Sequence, residues 1–200
     1  MSKHIDSWKN NGSVFKQQLY LNLKQLNEEY PPHWLNFNTT LNLLKPSRVV
    51  DVGSGAGIYS FLTRNHNIDY IGYDYSDYAV KLSQEKWKDN FVCKNYKDLN
   101  SSHILPNDLV VANGLCDILP DGNECVNHLL DLNADYLLLQ RIRFTDRKSY
   151  FTEYEAYGIM TYEFFHNEEE FDKKILKSGY KSTKTLLYSE SKIYDVEIKK

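Results

Sequence analysis

The 200-residue chain has only 3 cysteines, 2 methionines and 5 prolines. Cys93, Cys116 and Cys125 form no CxxC pair and cannot all be bridged within one chain. That argues against a disulfide framework or zinc knuckle and for a reducing, cytoplasmic setting. Positive charge is not in excess: 24 Lys+Arg stand against 27 Asp+Glu, a formal net charge of −3. No basic stripe is therefore expected to neutralise nucleic-acid phosphates. Long apolar runs are missing too. Stretches such as Tyr136 to Leu139 are far too short to cross a bilayer, and MSKHIDSWKNNG lacks the apolar centre of a signal peptide. There is no internal repeat, linker or low-complexity tail. These features predict one cytoplasmic domain, residues 1–200, with neither a nucleic-acid nor a membrane partner. Tyrosine is what the chain has in plenty, with 16 residues, and its aromatic body with a polar tip suits pocket walls as well as cores.

Leu19, Leu23 and Leu26 recur at helical spacing until Pro31-Pro32, and a second helix is expected from about Trp34 to Leu44. Residues 1–45 thus read as a helical N-terminal cap, with Trp8, Tyr20 and Trp34 on its helices. From residue 46 the pattern alternates. Strands are predicted at Arg48–Val52, Tyr70–Tyr73, Phe91–Cys93, Asp108–Ala112 and Tyr136–Ile142, with helices between them at Ile58–Arg64, Tyr78–Lys88 and Cys125–Leu132. Asn167 with Glu170 opens a last helix, closed by Gly179. Lys181–Leu187 and Ile193–Ile198 then form a hairpin. The expected fold is α/β: a Rossmann-like, doubly wound, mainly parallel sheet with an antiparallel C-terminal hairpin and N-terminal cap helices.

The sharpest local signal is Asp51-Val52-Gly53-Ser54-Gly55-Ala56-Gly57, between the first core strand and its crossover helix. A tight turn would explain glycines there. Dinucleotide binding would want G-x-G-x-x-G, and its last glycine falls on Ile58, so that pattern fails. What matches is D-x-G-x-G-x-G, and here the chain resembles the class I S-adenosylmethionine-dependent methyltransferases. The resemblance implies S-adenosyl-L-methionine as cofactor, held by Asp51, Gly53, Ser54, Gly55 and Gly57. It also implies that Asp74, in Gly72-Tyr73-Asp74-Tyr75-Ser76, takes the ribose hydroxyls beside Tyr75, with Asp77 as a helix cap. Asn95 with the Tyr96 backbone stands where the family often has an adenine-binding Asp, and Asp98 is the alternative. Asn113 and Gly114, after the fourth strand, should lie beside the methionine portion.

The acceptor must be read from the surroundings. Asn113-Gly114-Leu115-Cys116 lacks the D/N-P-P-Y/F clamp of enzymes that methylate DNA bases, and Asp117 with Asp121 is too weak a pair to claim a metal site. A small molecule is therefore expected. Arg141 and Arg143, at i and i+2, could grip its phosphate or carboxylate. The aromatic insertion Ser149 to His166 contains Tyr154 and Tyr157 and reads either as a lid or as a contact between two copies of the chain. His166 and Asp117 are the candidate catalytic groups. The insertion and the F-x-x-x-[IL]-x-x-x-G-Y ending at Phe171 to Tyr180 are similar to methyltransferases of bacterial surface-polysaccharide clusters. That implies O-methylation of a sugar or of a phosphorylated or nucleotide-linked sugar. Amine N-methylation, and cofactor binding without catalysis, are the alternatives.

Overall fold

Short runs rich in Val, Ile and Leu, buried on both faces, make the centre of this protein a parallel sheet, as such runs must when helices cover both sides. The computed structural model describes residues 5–200, with side chains from residue 7 onward, so the first four residues of MSKHIDSWKNNG lie outside the described residues. Three helices come first: α1 (Ile5–Asn10), α2 (Gly12–Asn27) and α3 (Pro32–Leu44). Pro31 and Pro32 stand at the start of α3, where the missing N–H costs nothing. The core follows as β1 (Arg48–Val52), α4 (Ile58–Arg64), β2 (Asp69–Asp74), α5 (Asp77–Trp87), β3 (Phe91–Cys93), β4 (Asp108–Asn113), α6 (Gly122–Asp131) and β5 (Tyr136–Thr145). Then come β6 (Tyr150–Ala156), β7 (Ile159–Asn167), α7 (Glu168–Lys177), β8 (Lys181–Tyr188) and β9 (Ile193–Lys199).

The sheet runs β3–β2–β1–β4–β5–β7–β6, with β9 also paired to β5, antiparallel, and β8 to β9. β5 is long enough to serve three partners: Tyr136 to Gln140 pair with β4, Tyr136 to Arg143 with β9, and Arg143 to Thr145 with β7. One apolar layer, with Leu129, Leu137 and Phe171, fills the side of α6 and α7. The other, with Trp34, Phe37, Leu62 and Trp87, lies under α3, α4 and α5. The expected strands, helices and C-terminal hairpin are all present, within a few residues at their ends.

The aromatic insertion Ser149 to His166 folds as the β6–β7 hairpin, closed by Tyr157-Gly158, both at positive φ (54° and 73°). That pair suits the two-residue turns that match strand twist. Asp77 is not the cap of α5. Ser76 holds that position, and Asp77 pairs with Lys81 one turn on. Among the described residues no helix is long and apolar enough to cross a membrane.

Candidate active site

The glycine loop joins β1 to α4 at the carboxyl edge of the sheet, where open α/β sheets bind ligands. Tyr73 O of β2 accepts from the Gly53 and Ser54 amides at 2.8 and 3.0 Å. From α5, Ser83 Oγ donates to Gly55 O at 3.0 Å and Trp87 Nε1 to Ala56 O at 2.7 Å. Gly57 caps α4 at φ +74°, and a Cβ there would stand 2.6 Å from the Phe91 ring, so only glycine fits.

A cleft of about 120 Å³ opens beside this loop. Its walls come from α2 (Gln18, Asn22), the start of α3 (His33, Trp34), β1 and its loop (Asp51, Gly53, Ser54), Tyr59 of α4, Asn113 of β4, Arg141 of β5 and Tyr157 of the hairpin turn. Asp51 is buried and accepts from Tyr70 Oη at 2.7 Å, with no cation paired to it among the described residues. Burial, with the Asp74 charge adding to it, pushes its carboxyl up to about 7. Among the described residues, Ser54 Oγ and His33 Nδ1 are buried without hydrogen-bond partners.

Arg141 owes its place to a β-bulge. Register with β9 slips between Leu139 and Ile142, so that Gln140 and Arg141 together oppose Asp195. Arg141 adopts φ +63°, outside the usual range of a non-glycine residue. Asp195 Oδ1 accepts from the Arg141 amide at 3.0 Å and Oδ2 from Gln140 Nε2 at 2.7 Å. Gln140 Nε2 also donates to His33 O at 2.7 Å, and Tyr59 Oη donates to Gln140 Oε1. The Arg141 side chain donates through Nε to Asn113 Oδ1 at 2.8 Å and lies across Gly114, where a Cβ would overlap its guanidinium.

The other expected site residues divide clearly. Asp74 ends β2 as foreseen. It is buried, its carboxylate accepting from the Gly55 amide and the Ser76 amide, each at 2.9 Å, and burial raises its carboxyl to about 6. Tyr75 follows it and is half-buried, its carbonyl facing the Cys93 thiol. Asn95 and Tyr96 lie beyond β3, away from the cleft lining. The Asn95 side chain accepts from the Lys97 amide, while Tyr96 rests against His128. Asp117 is buried and ion-paired to Arg143, which also holds Glu163 at 2.8 Å, so Arg143 is already neutralised. Tyr154 is half-buried near this cluster. Arg143 and Arg141 do not act alike, because the bulge between them breaks the i, i+2 alternation.

His166 is a correction. It is fully buried, bonded to Asn123 Oδ1 at 3.0 Å and packed on Phe164 and Phe171. It does not line the cleft that holds the glycine loop and Arg141. Gln18 and His33 were missed. Gln18 Oε1 accepts from the Ala56 amide at 2.8 Å, which lays α2 over the glycine loop.

Sheet order and glycine loop together define a Rossmann-like fold of the S-adenosylmethionine-dependent methyltransferase kind. A family model described as ribosomal protein L11 methyltransferase (PrmA) matches residues 34–137, just over half of the chain, and the chain belongs to that family. A ribosomal protein L11 methyltransferase of Lactobacillus johnsonii is 33% identical over 115 residues, 50% of this chain and 35% of that protein. The match thus spans about a third of that relative's length. Among solved structures, magnesium protoporphyrin IX methyltransferase from Synechocystis PCC 6803 with bound SAH superposes with a TM-score of 0.70 at 16% identity, covering 98% of this chain and 97% of that one. A SAM-bound amino pentose methyltransferase from Micromonospora echinaspora gives a TM-score of 0.67 at 11% identity, over 89% and 94% of the two chains. At these identities the likeness concerns the fold.

Proposed function

We propose that this chain, acting as one domain, transfers a methyl group from S-adenosyl-L-methionine to a hydroxyl of a small, anionic acceptor such as a phosphorylated or nucleotide-linked sugar. The observation that carries the cofactor reading is Asp51, a buried carboxylate without a cation, facing a cleft floored by the glycine loop. A ligand bearing an ammonium group supplies the missing charge, and the unpartnered Ser54 Oγ offers a further bond. Bound there, S-adenosylmethionine supplies a methyl group activated on a sulfonium sulfur. Asp51 would hold its amino group, and Asp74, whose carboxylate has capacity beyond its backbone donors Gly55, Tyr75 and Ser76, would face the ribose. Asn113 and Gly114 border the methionine end. Arg141 would seat the acceptor's phosphate or carboxylate, with Tyr157 closing the wall. Alignment of the two reactants in a small, dry space can supply much of the rate.

The curated relative's name specifies a ribosomal protein as acceptor. Arg141 and the β6–β7 hairpin, which build the acceptor side here, lie beyond the matched segment at residue 137. Arg141 at the cleft wall, its guanidinium without a carboxylate partner among the described residues, favours an acceptor that carries its own anionic group. Calorimetric titration with S-adenosylmethionine, S-adenosylhomocysteine and NAD tests the cofactor, and labelled-methyl transfer to sugar phosphates against ribosomal protein L11 tests the acceptor. Adenosyl binding without NAD binding, and label on the sugar phosphate, are expected. Absence of adenosyl binding, or label on the protein alone, overturns the reading.

A further inference from the structure

We propose that His33 is the catalytic base of the acceptor site, its Nδ1 accepting the hydrogen bond, and then the proton, of a hydroxyl whose anionic end sits on Arg141. This inference rests on the methyltransferase reading and specifies its acceptor: a small molecule that carries a protic nucleophile and a carboxylate or phosphate together. Three observations converge. His33 lines the same cleft as Asn113 and Arg141. Its Nδ1 is buried and has no partner, which in a native interior asks for an explanation. Its position is also held with care: Gln140 grips its carbonyl at 2.7 Å, while its ring stands edge-on to Trp34, with centroids 6.1 Å apart. The same Gln140 is tied to Asp195, whose other oxygen fixes the Arg141 amide. One buried network therefore sets the base and the anion seat relative to each other.

The charged and titratable groups around the ring are Arg141 from β5, Asp51 from β1, Tyr59 from α4, Asp195 from β9 and Tyr157 from the hairpin turn; the α2 residues in the cleft are uncharged. Burial first, and the Arg141 charge second, hold the imidazole down to about 3, so it is neutral and able to accept a proton at pH 7. An anion on Arg141 offsets the second of these and makes the ring more basic when the acceptor is in place. In the transfer step the acceptor oxygen forms its bond to the methyl carbon, the pair of the carbon–sulfur bond stays with sulfur, and the hydroxyl proton passes to Nδ1. The imidazolium returns that proton to solvent as product leaves.

The test has two arms on the full chain. In the first, ¹⁵N spectra of the S-adenosylhomocysteine complex read the His33 ring directly. A neutral ring with a bare Nδ1 between pH 5 and 8 is expected, and a protonated or already bonded Nδ1 overturns the inference. In the second, wild type is given a mixture of hexose phosphates and 2-hydroxy carboxylates, with His33→Asn and His33→Gln beside it. Loss of roughly 10²-fold or more in kcat, the range of a general base, is expected with S-adenosylhomocysteine affinity unchanged. Undiminished kcat in either folded variant overturns the inference, as does an absence of methylated product from a wild type that binds S-adenosylhomocysteine. Failure of the wild type to bind S-adenosylhomocysteine at all overturns the underlying reading instead.

Discussion

Asp51 shows how one side chain couples ligand binding to pH. Its carboxyl lies at about 7, so below that pH the free protein carries it protonated. A ligand ammonium requires the ionised form. Affinity for S-adenosylhomocysteine is therefore expected to be level above pH 7 and to fall by up to about tenfold for each unit below it. Calorimetry between pH 5.5 and 8.5 checks this, and Asp51→Asn should bind weakly with no such break. The residues of the motif were legible in the sequence because chain neighbours fix them: Asp51 ends a strand and Gly57 must cap the next helix. His33 and Gln18 were not. Each is an ordinary polar residue of a cap helix until tertiary docking turns it toward the loop. His166 misled for the converse reason, since β7 faces it into the core.

Among the elements, α1 and α2 are tied by side-chain contacts to the hairpin turn and the glycine loop that line the cleft. Trp8 Nε1 donates to Thr161 Oγ1 at 2.9 Å, and its ring stands against Tyr157, tying α1 to the β6–β7 hairpin across the cleft. Gln18 occupies the Ala56 amide. With only about 120 Å³ open, a ligand of adenosyl size requires these helices to shift. Binding that awaits such a shift is slow. Stopped-flow association of S-adenosylhomocysteine is expected to accelerate several-fold in Trp8→Ala, and an unchanged rate would show that the helices do not gate entry. The hairpin itself was legible only in part. Tyr157-Gly158 is a fair two-residue turn signal, but Phe151 shares a face with Glu153 and Tyr154 shares one with Thr152, so no clean alternation marks the strand.

Across the whole molecule, Asp51, Asp74 and Asp195 store like charge in the interior, with burial the leading cause in each and carboxyls at about 7, 6 and 6. All three are raised, so the folded state favours their protonated forms. Their contribution is most favourable below the unfolded value near 4 and is lost as pH rises through 6 to 7. His33 and His166, each held down to about 3 by burial, act in the opposite sense, because folding favours their neutral rings as pH rises. The carboxyl share is therefore read by difference: between pH 5 and pH 8 the ligand-free wild type is expected to lose melting temperature relative to Asp51→Asn, at about 2–4 °C per kcal/mol for a chain of this size, and saturating S-adenosylhomocysteine should narrow the wild-type loss. A wild type that gains on Asp51→Asn over this interval would contradict it. Fold class was the most legible level of all, because strand–helix alternation and a glycine loop are local signals that add up. The placement of β9 against β5 has no local signature.

That placement has a temporal side. A nascent chain emerging from the ribosome completes β1 to β7 before the strand that carries Asp195 exists. Until then the Leu137–Leu139 edge of β5 lacks its antiparallel partner, an apolar edge open to wrong pairings. Neither the Arg141 amide nor Gln140 has its anchor at that stage. Insertion of β9 closes the vulnerable edge and finishes the cleft in one event, so a chain able to hold its ligand is also one whose β5 edge is already protected.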